Sequence, residues 1–310
     1  MAYSYSERFN NVYLIDTHMF GFPKFNAAYI VKGKRVALID TGTPPSLEIV
    51  RNGINKHGFS IQDLSYIFVS HCEHPDHSGN VGSFLKENPN LKVYINPIGK
   101  LPLTNPEIDA AKRKAVLSDK MAKRFGTMVP VDESRIYSVK DGEQFDLGDG
   151  EILKVIFAPG HQPSGMVIYE EKNKGLFIND LCGLYLPDAG ASWVFTPFDS
   201  DILKAKDSLL KLKDLPLSHL YLGHFGINDT PKETIERALH NIQVLFDISD
   251  QCVKEGKESD IAPRLLKILM PEVEKIRAAR TPDIYEYLSQ ELIPSLAANF
   301  AKYYLNLHKK

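Results

Sequence analysis

The chain has few of the features that mark secreted or membrane-bound proteins. Its 310 residues include three cysteines, Cys72, Cys182 and Cys252. Such an odd, sparse set does not make a disulfide framework, and it predicts a reducing compartment, the cytoplasm. The first residues contain no basic segment followed by an apolar run, so we expect no secretory signal. No apolar run reaches the roughly 18 residues that cross a bilayer, so we expect no membrane partner.

The chain also has no large excess of charge of either sign. The chain has 37 basic and 39 acidic residues and a formal net charge of -2. Nucleic acids and anionic membranes are bound through concentrated positive charge, so we expect no nucleic-acid partner. Apolar residues make up 43% and charged residues 25% of the chain, as in an ordinary globular protein. This composition favours a protein that acts on a small-molecule substrate.

Short strands dominate the pattern up to residue 229. Apolar runs bounded by turn signals predict strands, and the segment 47–58 predicts an amphipathic helix that ends at Gly58. The predicted strands cover residues 12–16, 27–33, 35–42, 64–70 and 91–96, two strands within 141–161, a hairpin that ends at Asp180, and a last strand before His224. Residues 105–126 are predicted to be helical. The segment 1–229 is therefore expected to be one strand-rich unit with helices.

The pattern changes at Thr230. Threonine, proline, lysine and glutamate at 230–233 are typical of a helix start. Helical periodicity then continues to residue 310, with interruptions expected near Pro263, Pro271 and Pro282. We therefore predict a separate helical extension over 230–310.

Potential metal ligands follow the ends of several predicted strands. The apolar run 64–70 leads into a loop that contains three histidines and two acids, His71, Glu73, His74, Asp76 and His77. Three further candidates, His161, Asp180 and His224, also close predicted strands. A single histidine at the end of a strand is more often a surface residue. A cluster of three histidines and two acids directly after a buried strand is not expected of an ordinary polar loop. Imidazole and carboxylate are good ligands for zinc, iron or manganese, so the pattern predicts a metal site.

Five motifs occur in one order: LIDTG (38–42), FVSHCEHPDHSG (68–79), APGHQPSG (158–165), LFIND (176–180) and YLGHFG (221–226). With them, residues 10–229 resemble the metallo-β-lactamase superfamily, and in particular its glyoxalase II-like and thioesterase-like hydrolase branch. The resemblance implies an α/β fold, the αββα sandwich of that family, here with a C-terminal helical extension. It also implies two divalent metal ions and no organic cofactor, and it does not distinguish zinc, iron and manganese.

The resemblance also implies roles for individual residues. Asp180 would bridge the two metals, and Asp40 would orient a ligand histidine from outside. Asp76 would be both a ligand and the catalytic residue that positions or deprotonates the nucleophile. The implied ligands are His71, His74 and His161 for the first metal, and Asp76, His77 and His224 for the second.

One departure leaves the first ligands open. The family motif has one residue between its first two histidines, whereas Cys72 and Glu73 both stand between His71 and His74. The favoured alignment keeps His71 and His74 and treats the extra residue as a bulge. A second alignment makes Cys72 the first ligand. A third follows the His-x-Glu-x-Asp-His loop of flavodiiron oxygen and nitric oxide reductases and makes Glu73 a ligand.

Three functions follow from these alignments. The first is hydrolysis of a thioester, ester or lactone of a small, partly apolar substrate by hydroxide that two metals activate. The second is a flavodiiron-like protein that binds or reduces oxygen or nitric oxide, and the third is a binding module without catalysis. Aromatic and aliphatic side chains of 230–310, such as Tyr285, Tyr287 and Tyr303, together with loops 20–25 and 184–198, are expected to shape access to the metals. A homodimer contact is the competing use of the helical side chains.

Overall fold

Two β-sheets form the centre of the computed structural model, which describes residues 8–116, 118–186, 189–194 and 199–308. In the first sheet the strands follow one another in chain order. Its strands are β1 Arg8–Phe9, β2 Val12–Asp16, β3 Ala27–Lys32, β4 Val36–Ile39, β5 Leu64–Phe68, β6 Lys92–Ile95 and β7 Ile136–Ser138. The strands β1 to β4 are antiparallel, and β4 to β7 run parallel.

The second sheet has the order β15-β14-β11-β10-β9-β8. Its strands are β8 Gln144–Gly148, β9 Glu151–Phe157, β10 Met166–Glu170, β11 Gly175–Asn179, β14 His219–Leu222 and β15 Ile227–Asn228, while β12 Leu184–Leu186 and β13 Ala191–Trp193 form a separate hairpin. The strands β9 and β11 flank β10 antiparallel to it, and β14 runs parallel to β11. The carboxyl ends of β9, β11 and β14 therefore meet at one edge.

Eleven α-helices are assigned in the described ranges. They are α1 Leu47–Lys56, α2 Pro75–Ser78, α3 Val81–Glu87, α4 Lys100–Thr104, α5 Pro106–Val116, α6 Asp119–Arg124, α7 Ile202–Lys213, α8 Pro231–Lys254, α9 Ile261–Ala279, α10 Pro282–Tyr287 and α11 Ile293–Leu307. A π-helical turn, Leu288–Leu292, joins α10 to α11. None of the helices in the described part of the chain is long and apolar enough to span a membrane.

Three apolar layers hold the sheets and helices together. The middle layer lies between the sheets and includes Leu14 and Phe68 from the first sheet and Val155 and Phe177 from the second. An outer layer packs α1 and α3 on the first sheet. The other outer layer packs α7, α8, α9 and α11 on the second sheet. Burial of both faces of each sheet gives the αββα sandwich that the sequence predicted.

The helices after residue 230 share their core with the second sheet. Ile235 and Ile242 of α8 and Phe300 of α11 lie in the same buried cluster as Ile156 of β9 and Val167 of β10. The sequence predicted an appended unit at this place, and the structure shows its apolar faces buried against the sandwich.

The predicted helix start at Thr230 and the predicted break near Pro282 are confirmed, but two local details differ. No side chain caps the start of α8, because the hydroxyl of Thr230 lies against the side chain of Asn228 instead. The helix α9 also passes through Pro263 and Pro271 without interruption. Pro263 lies in the first turn, where a backbone N–H has no partner within the helix. Pro271 is exposed, and the buried side chain of Val273 holds the following turn in place.

Candidate metal centre

The predicted ligands lie where five strands end. Asp40 follows β4, the loop 71–77 follows β5, His161 follows β9, Asp180 follows β11 and His224 follows β14. Because these strands run in the same direction within each sheet, their carboxyl ends bring the side chains to one edge of the sandwich. Glycine at position 223 lets the last loop approach closely: a Cβ atom there would lie 2.8 Å from Oδ1 of Asp180. The fold therefore brings together side chains that are up to 153 residues apart, from His71 to His224.

The structure gathers seven side chains into two groups that could each hold a metal ion. The first group is His71, His74 and His161, and the second is Asp76, His77, Asp180 and His224. Within each group one potential ligand atom per residue lies within 4.8 Å of the others. All but His74 are buried, and His74 is half-buried. These are the seven residues that the resemblance implied, with Asp180, the implied bridge, grouped here with the second set.

One oxygen atom, Oδ2 of Asp180, lies between the two groups. It is 3.3 Å from Nε2 of His161 and 4.0 Å from Nε2 of His71, in the first group. It is 3.2 Å from Nε2 of His77 and 3.5 Å from Nε2 of His224, in the second group. A carboxylate in this position is suited to bridge two cations.

Hydrogen bonds from behind orient two of the imidazoles. Nδ1 of His77 donates to Oδ2 of Asp40 at 2.7 Å, and the backbone N–H of Ser70 donates to Oδ1 of Asp40 at 2.8 Å. Nδ1 of His224 donates to the carbonyl of Phe25 at 2.8 Å. A donor at Nδ1 leaves the Nε2 lone pair free to face the centre, as ligand histidines require. Asp40 is thus where a residue that orients a ligand histidine should be.

The two groups differ in charge. Burial lowers the pKa of His71 well below its usual range, that of His74 to about 4 and that of His161 to about 3. Burial also opposes the charge on His77 and His224, but the nearby carboxylates outweigh it. They raise the pKa of His77 well above its usual range and that of His224 to about 9. Although burial favours a neutral Asp180, the imidazoles hold its pKa well below the usual range. The first group is therefore a set of neutral imidazoles, and the second pairs carboxylates with imidazoles.

The inserted residues of the loop point away from both groups. The carboxylate of Glu73 accepts hydrogen bonds from the backbone N–H of Ser164 at 3.0 Å and from its hydroxyl at 2.5 Å. Cys72 belongs to the apolar layer under the first sheet, and burial raises the pKa of its thiol well above the usual range. Its sulfur packs so closely against Gly99 that a Cβ there would lie 2.6 Å away. Of the three alignments, the one with His71 and His74 matches this geometry.

The donor atoms fit a pair of zinc or iron ions. Nε2 of His71, Oδ1 of Asp76 and Oδ1 of Asp180 are buried and have no hydrogen-bond partner among the described residues. Buried polar atoms normally have partners, and a cation would supply them here. Imidazole and carboxylate ligands suit both metals.

An aromatic wall from two distant segments stands beside the second group. Phe25, in the loop 20–25, packs against the ring of His224 with a centroid distance of 5.4 Å. Tyr287, at the end of α10, lies 6.2 Å from Phe25 and 5.6 Å from Phe20 between ring centroids. Burial and the nearby charge of Asp76 raise the pKa of Tyr287. Tyr287 therefore connects the helical segment to the ring of His224 through Phe25.

The other predicted access residues lie elsewhere. Tyr303 donates to Asp201 at 3.0 Å, and Tyr285 bonds to Glu274, so neither is placed at the metals. Trp193 is buried in the cluster that also contains Phe25 and Tyr287. Of the tract 184–198, positions 187, 188 and 195–198 lie outside the described residues.

Sequence reasoning missed two residues beside the centre. Ser164 binds Glu73, and Arg113 of α5 donates from Nη1 to the carbonyl of Glu73 at 3.2 Å. The serine belongs to the motif at 158–165, whose fixed order could have marked it. The arginine is one of many charged residues in a predicted helix, and no local pattern distinguishes it.

Comparison with known proteins agrees with this geometry. The model of the metallo-beta-lactamase superfamily matches residues 22–224. Among curated proteins, flavo-diiron protein FprA2 of Clostridium acetobutylicum is 28% identical over 214 residues, which are 62% of this chain and 48% of that protein. Diflavin flavoprotein A 1 of Synechocystis is 30% identical over 52% of this chain and 24% of its own length. The chain thus spans about half, or less, of these relatives.

Solved structures show the same fold. A metallo-beta-lactamase family protein of Thermus thermophilus covers 96% of this chain, and 94% of its own length is covered, with a TM-score of 0.65 and 20% identity. An archaeal metallo-beta-lactamase superfamily protein of Sulfolobus tokodaii covers 75% of this chain and 86% of its own, with a TM-score of 0.62 and 24% identity. With the family match over most of the sandwich and a histidine and aspartate cluster able to bind two metals, the chain belongs to the metallo-beta-lactamase superfamily.

Proposed function

We propose that this chain is a dinuclear-metal hydrolase that cleaves a thioester, ester or lactone of a small, partly apolar substrate. The observation that carries the proposal is the position of Asp180, whose Oδ2 faces imidazoles of both groups, together with a first group made of three neutral histidines. When bound, two metals would polarise the substrate oxygen and activate a water molecule. The side chains then have to hold substrate and water in place.

Asp76 is the residue that we propose to act on the nucleophile. Its Oδ2 lies 3.5 Å from Nε2 of both His77 and His224, and its Oδ1 has no hydrogen-bond partner in the described ranges. Burial opposes its ionisation, but His77 holds the pKa of Asp76 well below the usual range. Asp76 therefore stays ionised, and Oδ1 can accept a hydrogen bond from the attacking water and position it; its low pKa makes it a weaker choice as the base that takes the proton.

We also propose that the segment 230–310 forms a side wall of the cleft. Tyr287 stands next to Phe25, and burial and the charge of Asp76 raise its pKa, so we propose that the segment supplies an aromatic surface at the metals without supplying a ligand. An apolar wall favours a substrate with a partly apolar acyl group. The glyoxalase II-like and thioesterase-like branch remains our expectation for the reaction type.

The second candidate is a diiron protein that binds or reduces oxygen or nitric oxide. Two relatives named as flavo-diiron or diflavin flavoproteins favour it. The sequence of the metal loop, HCE at 71–73 followed by PDHSG at 75–79, also favours it. The orientation of Glu73 argues against the diiron candidate. Its carboxylate binds Ser164, whereas the flavodiiron loop has a ligand glutamate at the corresponding position.

Metal analysis and two assays distinguish the candidates. Purified protein is analysed for zinc and iron, loaded separately with each metal, and given a panel of thioesters, esters and lactones. The same preparations, reduced, are tested for oxygen and nitric oxide consumption. Turnover of an ester by the zinc-loaded chain, lost in Asp76→Asn, supports hydrolysis. No ester turnover with consumption of either gas by the iron-loaded chain rejects hydrolysis in favour of the second candidate.

A further inference from the structure

Arg113 is a buried cation beside the metal loop, and most of its N–H donors make no hydrogen bond within the described residues. Its side chain is 5% exposed, yet in the part of the chain that the structure describes it makes one hydrogen bond, from Nη1 to the carbonyl of Glu73. Asp109, one turn earlier on the same helix, favours the charge of Arg113 but forms its ion pair with the Lys112 ammonium at 2.9 Å. A guanidinium has five N–H donors, so most of its hydrogen-bonding capacity is uncommitted.

The position of this guanidinium is determined by its neighbours. Its central carbon stands 5.5 Å from the ring centroid of Phe125, which restrains the plane of the group. The ring of Phe125 in turn contacts Phe20 at 4.9 Å, and Phe20 contacts Tyr287. Phe125 therefore connects Arg113 to Phe20 and Tyr287, which belong to the aromatic wall.

The positive charge of Arg113 also affects the pKa of a residue in the metal centre, His74. Burial lowers the pKa of His74, and the charge of Arg113 adds to that effect. Burial lowers the pKa of Arg113, while the charge of Asp109 and, after it, that of Asp76 favour the charged form. The carbonyl that Arg113 binds belongs to Glu73, the residue directly before His74.

We propose that Arg113 binds an anionic group of the substrate, a carboxylate or a phosphate, while the scissile bond lies at the metals. The proposal rests on the proposed hydrolysis and names its substrate class: a thioester, ester or lactone with an acidic terminus. A planar guanidinium presents paired donors that match the oxygens of either anion. Desolvating a cation is costly, and a substrate anion would bind donors that Asp109 and Asp76 favour only through their charge. The competing role is structural, in which Arg113 only ties α5 to the metal loop.

The test uses the full chain loaded with zinc and three thioesters of equal length that end in a methyl group, a carboxylate or a phosphate. We expect the wild-type protein to prefer one of the two anionic substrates by about tenfold or more in kcat/KM, as a charge-assisted hydrogen bond allows. Which of the two is preferred identifies the anion. In Arg113→Gln this preference should fall to about twofold or less through a higher KM, with metal content unchanged. Arg113→Lys, which keeps the charge but not the fork, should fall between them.

Lys112→Gln is the matched control. It removes the same charge from the neighbouring position, where the side chain is exposed and faces Asp109 and Asp199. We expect it to keep the wild-type preference. An equal loss of preference in both glutamine variants overturns the proposal. A wild-type protein that prefers the methyl-ended substrate overturns it even if Arg113→Gln does not fold.

A binding measurement separates this proposal from the hydrolysis on which it rests. Glutarate and inorganic phosphate are titrated calorimetrically into the zinc-loaded wild-type protein and both glutamine variants. If no ester is cut but Arg113→Gln alone weakens anion binding about tenfold, the anion site is supported and hydrolysis is rejected. If esters are cut without charge preference and anion affinity is equal in all three proteins, hydrolysis is supported and the anion site is rejected.

Discussion

At the scale of single residues, the centre depends on a few atoms with no alternative partner. Oδ2 of Asp180 faces four imidazoles, and its Oδ1 is buried without a hydrogen bond in the described ranges. Asp40 accepts from both Ser70 and His77 and has a left-handed backbone with φ of 60°. Backbone strain of this kind persists where surrounding contacts enforce it. The left-handed backbone at Asp40 places its carboxylate within hydrogen-bond distance of both Ser70 and His77.

Replacing the shared carboxylate should reduce metal binding. We expect about two metals per wild-type chain and about one or fewer in Asp180→Asn, because an amide is a weak bridging ligand. Elemental analysis after dialysis measures the ratio. Asp207→Asn, at an exposed position of α7, is the control. Two metals bound by Asp180→Asn would remove Asp180 from the site.

The inserted residue of the metal loop can be tested in the same assay. His74→Ala should lose metal, whereas Cys72→Ala and Glu73→Gln should keep it, because the thiol packs in the core and the carboxylate binds Ser164. Cys72→Ala should lower the free energy of unfolding by about 1 kcal/mol through lost packing. Retention in His74→Ala with loss in Glu73→Gln would favour the flavodiiron alignment.

The orientation of His77 gives a third prediction. Asp40→Asn keeps the shape and tolerates the left-handed backbone, but it weakens the acceptor for Nδ1 of His77. We expect metal affinity to fall about 10- to 100-fold, as for other residues behind metal ligands. Competition with a chelator of known affinity measures the change. An unchanged affinity would show that Asp40 serves only to hold the backbone at Ser70.

At the scale of elements, the sandwich contains a buried acid pair away from the metals. Glu151 of β9 and Glu170 of β10 are both fully buried and interact with each other. Asn11 donates to Glu151 at 2.5 Å, and Asn173 donates to Glu170 at 3.0 Å. Burial, followed by the nearby Glu170, raises the pKa of Glu151 from 4.5 to about 8. The pair therefore keeps a proton that the unfolded chain would release.

This proton makes stability depend on pH. A carboxyl whose pKa is raised by folding binds its proton more tightly in the folded state, so its contribution is complete below about 4.5 and is lost as the pH rises toward 8. We expect the free energy of unfolding to fall across that window in denaturant titrations. Glu151→Gln should flatten the slope, whereas the exposed control Glu233→Gln should leave it unchanged. Equal slopes in all three proteins would refute the shared proton.

At the scale of the whole molecule, the C-terminal helices share a buried core with the second sheet of the sandwich. Ile242 of α8 lies in the cluster that contains Val167 of β10, whereas Ile268 of α9 is 47% exposed. A shared core predicts that the metal-binding sandwich and the helices unfold together. Helices that fold independently would unfold in a separate step.

Two isoleucines test this coupling. Ile242→Ala should lower the free energy of unfolding by about 2 to 4 kcal/mol, and Ile268→Ala should change it by less than about 1 kcal/mol. Fluorescence of the buried Trp193 and far-ultraviolet circular dichroism should report one coincident transition in each case. If Ile242→Ala separates the transitions, the segment 230–310 is an independent domain.

The order of motifs along the chain was enough to predict the fold and to collect the metal candidates. Alternating strands and strand-end acids are local patterns, and parallel strands bring their carboxyl ends to one edge whatever the rest of the chain does. The superfamily was therefore recognisable from residues 38–42, 68–79, 158–165, 176–180 and 221–226. The choice of reaction remains a prediction, because a shared fold hosts several chemistries.

Contacts between distant segments decided what the local pattern left open. Glu73 turns away from the centre because Ser164, 91 residues later, donates to it twice. Tyr287 lies near the centre because it packs on Phe20 and Phe25 of the loop 20–25, and Phe25 contacts His224. Arg113 differs from the other charged residues of its helix only in what surrounds it. The sequence determined which side chains were available, whereas burial and long-range hydrogen bonds, which exist only in the folded chain, decided which of them face the centre.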